Sequence, residues 1–142
     1  MGEPATPVQI LLVEDNPVDV FMTREALKTW KIRNSLEVVE DGQEALDFLH
    51  RRGTYAEAER PDLIFLDLNL PKINGIEVLS EISQHADLST ITVVVVTTSA
   101  AENDLKKCVD LGAKHYIIKP LEFDEYVRQL GAVQEFRFNS RT

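Results

Sequence analysis

Five short apolar runs, widely spaced and each followed by helical signals, leave this chain few ways to fold. They are "VQILLV" (8–13), "SLEVVE" (35–40), "LIFL" (63–66), "ITVVVV" (91–96) and "YII" (116–118). Each is strand-length, and "TVVVV" is apolar on both faces, as a parallel sheet covered on both sides by helices requires. The intervening segments carry helix punctuation. Asn16-Pro17 is an N-cap followed by proline at the first helical position, which predicts a helix over Val18 to Trp30. Asp41 with Glu44 resembles a capping box, Ala45, Leu46 and Leu49 line one face, and Gly53 ends the helix. Asn74-Gly75 opens a segment in which Ile76, Leu79 and Ile82 recur at helical intervals. Leu105, Cys108 and Val109 do the same ahead of Gly112, and Phe123, Val127 and Leu130 form a last stripe. Right-handed crossovers then give an α/β fold, an open doubly wound sheet with helices on both faces. A closed barrel would need eight such units. The polar segment 51–61 predicts a surface loop with a helical turn at "AEAE".

The 142 residues fit one domain: a tail over 1–7, the domain over 8–136 and a tail over 137–142, with no room for a further module. Hydrophobic residues at 44% and charged residues at 27% mark a globular chain, and a formal charge of −9 disfavours nucleic acid or an anionic membrane as partner. Cys108 is the one cysteine and reads as a small core residue, so there is no internal disulfide. No apolar stretch could span a bilayer, and "MGEPATPVQ" has neither the charged start nor the apolar centre of a signal peptide. A cytoplasmic location follows as the expectation.

The strand ends carry the chemistry. The first strand ends on Glu14-Asp15, the third on Asp67, the fourth on Thr97-Thr98-Ser99 and the fifth on Lys119-Pro120. Taken singly, each is an ordinary solvated strand terminus. In an open parallel sheet, however, the carboxyl ends of the strands share one edge, where ligands bind. Two carboxylates about 5 Å apart repel by roughly 3 kcal/mol at an effective dielectric of about 20. Three of them therefore demand either a proton or a counter-charge. Hard oxygen donors without histidine or cysteine suit Mg2+, and none of His50, His85 and His115 lies at metal-ligand spacing. A carboxylate in such a setting can act as a nucleophile toward phosphorus. Lys119 can supply positive charge, the Thr97 hydroxyl can donate to a phosphoryl oxygen, and the Asn69 backbone carbonyl is placed to reach the metal.

Across residues 8 to 135 the motifs "VEDN", "LDLNLPKINGIEVL", "VVVVTTS" and "YIIKP", in order, resemble the receiver domain of two-component response regulators, the CheY-like fold. The resemblance implies strand order 2-1-3-4-5, Asp67 as phosphoacceptor, and Glu14 and Asp15 as the acidic pair, with Asp15 a direct Mg2+ ligand. It makes Thr97, with Thr98 beside it, the switch hydroxyl, Tyr116 the switch aromatic, Lys119 the phosphate-binding lysine, and the bond before Pro120 cis. Glu14 stands where many members carry aspartate, and its longer reach suits contact through a water. The polar loop before "PDLIFLDLNLPK", the asparagine after the acceptor, and "TTS" are similar to regulators that partner phytochrome histidine kinases. A sensor histidine kinase is the implied upstream partner, and the downstream partner is a protein that the sequence does not identify. The family also implies a homodimer through the fourth and fifth helices; Phe136 and Phe138 either pack against a partner or fold back onto the last helix of the same chain.

Other readings stay open at this stage. A regulator of a non-photoreceptor kinase, or a phosphotransfer intermediate, would carry the same residues. A haloacid dehalogenase-like phosphatase also starts from a strand-end aspartate but wants a second one two positions on, where this chain has Asn69. A nucleotide- or flavin-binding module wants a glycine-rich loop after a strand, and "EDNPVD" is acidic and lacks glycine.

Overall fold

The computed structural model describes residues 6–137, with side chains as far as Gln134. Strands β1 (Val8–Val13), β2 (Asn34–Val39), β3 (Leu63–Leu66), β4 (Thr92–Thr97) and β5 (His115–Ile118) alternate with helices α1 (Pro17–Leu27), α2 (Gly42–Leu49), α3 (Gly75–Gln84), α4 (Glu102–Asp110) and α5 (Phe123–Arg137). The strands form one sheet in the order β2-β1-β3-β4-β5, and every pairing is parallel.

Alternation along the strands divides the interior into two cores. Val8, Ile10 and Leu12 of β1 face the side covered by Ala26 and Leu27 of α1 and by Tyr126, Leu130 and Val133 of α5. Leu11 and Val13 face the side covered by Phe48 and Leu49 of α2, Val78 and Ile82 of α3, and Cys108 of α4. Period-two side-chain direction is the cause: a strand buried on both faces must be apolar throughout.

The cap signals act as their chemistry requires. The Asn16 side chain accepts from the Val18 and Asp19 N–H groups, Asp41 from Glu44 N–H and Asn74 from Glu77 N–H. The Glu44 carboxylate reaches back to the Glu40 N–H, one residue before the cap. Four expectations need correction. Helix α2 ends at Leu49, with His50 as its cap and Arg51 taking the left-handed turn at φ 56°, so it stops before Gly53. Helix α1 stops at Leu27 rather than Trp30, because Thr29 turns back, its N–H and hydroxyl both donating to the Ala26 carbonyl. The short turn in the 51–61 loop is a 3-10 turn at Gly53–Tyr55, not at "AEAE". It is fixed there by Tyr55, which packs on Phe48 at 5.2 Å between ring centroids and donates to Glu44 at 2.8 Å. Helix α4 buries Cys108 but leaves Leu105 and Val109 of its expected stripe 43% and 58% exposed.

Candidate functional site

Parallel strands deliver their carboxyl ends to one edge, and the polar residues that follow the apolar runs meet there. Glu14 follows β1, and its N–H donates to the Val39 carbonyl of β2. Asp67 extends β3, its N–H donating to the Val13 carbonyl at 3.1 Å. Lys119 follows β5 and donates its N–H to Thr97 of β4 at 2.7 Å. Each backbone is thus pinned by its neighbour, so the side chains converge without a flexible loop between them. The Lys119–Pro120 peptide is cis.

The result is a buried charge cluster. Glu14, Asp67 and Lys119 are 3%, 5% and 7% exposed. The Lys119 ammonium donates to Glu14 Oε1 at 2.9 Å, Asp19 Oδ2 at 2.9 Å and Asp67 Oδ2 at 3.2 Å. Carboxylate oxygens of Glu14, Asp15 and Asp67 all lie within 4.8 Å of one another, with Asp15 exposed at the mouth. Lys119 spends its three donors, yet acids still outnumber it. Burial, with Asp67 close by, pushes the Glu14 carboxyl up to about 7, and the Lys119 hydrogen bond opposes this only in part. For Lys119 itself burial favours the neutral amine, but the Asp19 and Glu14 carboxylates overcome it and raise its pKa. The donor set fits a small hard cation: carboxylate oxygens only, close enough for one ion, with one side open to water.

The remaining sequence-predicted residues surround this cluster. The Asn69 N–H donates to Asp67 Oδ1 at 3.0 Å, fixing the rotamer of that carboxylate, while its side-chain amide donates to Thr98 Oγ1 at 3.0 Å. Thr97 is fully buried, and its hydroxyl oxygen accepts from the Ser99 N–H at 3.4 Å. Tyr116 is half-buried on β5 and donates its hydroxyl to the Ser99 carbonyl at 3.0 Å, so the Thr97–Ser99 segment ties it to the cluster. Phe136 and Phe138 lie outside the residues whose side chains are described.

Two members of the cluster escaped sequence reasoning. Asp19, in the first turn of α1, accepts from Lys119 and also from the buried Tyr126 hydroxyl at 2.7 Å. Burial and the Asp19 hydrogen bond raise the Tyr126 pKa. The available signal was the place of Asp19 in the first turn of the helix that Asn16 opens directly after the acidic pair. Tyr126 gave none, since its reach depends on how α5 packs beside α1. A further correction concerns the histidines: His50 and His85, distant in sequence, pack against each other with ring centroids 4.9 Å apart.

Comparison with known proteins agrees with this geometry. Residues 10–130 match the family described as the response regulator receiver domain. The chain is 42% identical over 130 residues to the response regulator Rcp1 of Synechocystis sp., spanning 92% of this chain and 88% of that protein. The crystal structure of a phosphorylated cyanobacterial phytochrome response regulator, RcpA, superposes with a TM-score of 0.89 at 40% identity, covering 96% of this chain and 98% of that one. The Mn2+-bound form of Rcp1 superposes with a TM-score of 0.87, also at 40% identity and with the same coverage.

Proposed function

This chain belongs to the response regulator receiver domain family, and from that premise we propose that it accepts a phosphoryl group on Asp67 from a sensor histidine kinase and signals through contacts with other proteins. The observation that carries the reading is the buried Asp67 carboxylate, held by Lys119 on one oxygen and by the Asn69 N–H on the other. Glu14, Asp15 and Asp67, with the Asn69 carbonyl, would hold Mg2+. When bound, that ion supplies positive charge to the oxygens of the transferring phosphoryl group.

The chain's own residues account for the rest. In the transfer, the P–N bond of a phosphohistidine breaks as an O–P bond forms to Asp67; the electron pair returns to the imidazole nitrogen, which takes up a proton. Asn69 and Lys119 orient the nucleophile, so little rotational freedom remains to be lost on reaction. The Lys119 ammonium, already fixed by Glu14 and Asp19, is preorganised to pair with the phosphoryl oxygens. The Thr97 hydroxyl oxygen accepts from the Asn69 amide and the Ser99 N–H, which leaves its own proton to donate, and a shift of Thr97 would reach Tyr116 through Ser99. Thr97, Thr98, Tyr116 and Lys119 together form the switch that relays the phosphorylated state to the surface.

The kinase is proposed to be of the phytochrome type, because RcpA and Rcp1 combine high structural similarity with about two-fifths identity. The folded unit is taken as 8–136 between short tails. A signalling role rather than steady hydrolysis of phosphate esters fits the Asn69 amide, which sits where a phosphatase of the dehalogenase type needs a general acid. Homodimerisation through α4 and α5 finds support in the exposed Leu105 and Val109 on α4 and in Phe123 at the start of α5. Among the described residues no helix is long and apolar enough to cross a membrane.

The test is labelling with acetyl phosphate and with candidate kinases, with and without Mg2+. One phosphoryl group per chain, abolished by Asp67→Asn and by EDTA, is expected. Retained labelling in Asp67→Asn would move the acceptor elsewhere. Asp62, which precedes β3 at the opposite edge and accepts from the Gln9 N–H, is too remote to substitute.

A further inference from the structure

At the edge of the sheet opposite the acidic cluster, helices α2 and α3 end side by side. His50 caps the end of α2 and His85 the end of α3, and Glu81 lies one turn before His85. Helix carboxyl ends carry partial negative charge, which favours a cation there. His50 Nε2 lies 3.3 Å and His85 Nε2 3.5 Å from the same Glu81 carboxylate oxygen, and one ligand atom from each residue falls within 4.8 Å of the others.

Those spacings match a coordination sphere better than a hydrogen-bond network. With metal–nitrogen distances of about 2.0–2.1 Å, neighbouring ligands of a tetrahedral Zn2+ ion are about 3.3 Å apart. His85 Nδ1 lies 3.1 Å from the Glu81 backbone carbonyl. A proton on Nδ1 satisfies that carbonyl and leaves the Nε2 lone pair facing the cluster, the arrangement that orients a ligating histidine. His50 Nε2 is shielded from solvent and makes no hydrogen bond, although the Glu81 oxygen is near. A buried polar atom in that condition is costly without a partner, and a metal ion would provide one.

We propose that His50, Glu81 and His85 form a second cation site, for a borderline-soft divalent transition metal such as Zn2+, with three protein ligands and one open position. Its chemistry separates it from the acidic cluster: imidazole nitrogens select Zn2+ and its neighbours in the transition series, whereas all-oxygen sites select Mg2+. By joining the two helix ends, the ion would fix α2 against α3 at the edge away from the acidic cluster.

Calorimetric titration of the full chain with Zn2+, with Mg2+ in large excess, tests the site. One Zn2+ per chain is expected, with affinity reduced more than about tenfold in His85→Gln and in Glu81→Gln and unchanged in Asp67→Asn. Both substituted positions are partly exposed, at 41% and 35% of the side chain, so the fold tolerates them. Co2+ should give the visible absorption of a tetrahedral imidazole-bound ion in the parent chain and lose it in His85→Gln. Zn2+ should raise the thermal midpoint of the parent chain but not of the two variants. Absence of saturable binding, or equal binding by parent and both variants, would overturn the proposal, as would loss of the Zn2+ in Asp67→Asn.

Discussion

Glu14 shows how burial, reinforced by a neighbouring carboxylate, sets the working range of an acid. Its carboxyl is held near 7 by desolvation, against an ordinary value of 4.5. A carboxyl whose folded value is raised keeps its proton more tightly in the native state. The Mg2+-free protein should therefore lose stability as pH rises from about 4.5 to 7, which thermal unfolding across that window will show. Metal binding needs the ionised form, so apparent Mg2+ affinity should fall by up to about tenfold per pH unit below 7 and level off above it. A pH-independent affinity in calorimetry would contradict this. Like-charge repulsion leads to a second prediction. Asp67→Asn should stabilise the Mg2+-free protein at pH 8 by about 1–3 kcal/mol and remove most of the stabilisation that Mg2+ confers. A midpoint unchanged or lowered without metal would show that the Lys119 pairing outweighs the repulsion. At this scale sequence reading reached Glu14, Asp15, Asp67 and Lys119, because each lies within two residues of the end of an apolar run. It did not reach Asp19 or Tyr126, whose 2.7 Å hydrogen bond joins α1 to α5.

Among the elements, the loops after β1 and β3 are tied down by specific contacts. Asn16 bridges two orphan N–H groups at the start of α1, beside Asp19. Asn16→Ala should cost about 1 kcal/mol of stability, measured by urea denaturation, and by loosening Asp19 should weaken the hold on Lys119. Gly75 meets a tighter constraint. A Cβ there would collide with the Asp67 carbonyl oxygen and the Leu68 backbone, and its N–H donates to the Leu68 carbonyl at 2.9 Å. Gly75→Ala should thus cost about 1–3 kcal/mol and slow acetyl phosphate labelling, since the clash displaces the segment that carries Asp67. Labelling at the parental rate would separate the helix start from the acceptor geometry. Strand and cap positions were legible because both are local: apolar period and side-chain capping act within a few residues. The end of α1 and the turn at Gly53–Tyr55 were not, because the Thr29 back-bond and the packing of Tyr55 on Phe48 decided them.

Across the whole molecule, the two cores leave a face of α4, β5 and α5 with exposed apolar side chains. Leu105 and Val109 on α4, Ile118 at the end of β5 and Phe123 at the start of α5 are 40% exposed or more. Among the described residues β5 is an edge strand, with no further strand beside it. Tyr116 is tied to the Thr97–Ser99 segment beside the charge cluster by its hydrogen bond to the Ser99 carbonyl, a contact through which the proposed switch would reach this face. Val109→Glu should lower the dimer fraction seen by sedimentation equilibrium while leaving acetyl phosphate labelling intact, since the side chain is remote from Asp67. An unchanged association constant would place any dimer contact elsewhere.

By itself the sequence determined the alternation of strands and helices, the parallel sheet, the edge that holds the acids and the receiver family, because apolar period, caps and strand-end residues are written locally. Only the tertiary structure decided that one ammonium serves three carboxylates, that Asp19 and Tyr126 join them, and that His50 meets His85. Those contacts depend on how helices far apart in the chain pack on a common sheet, and packing of that kind has no signature within a single segment.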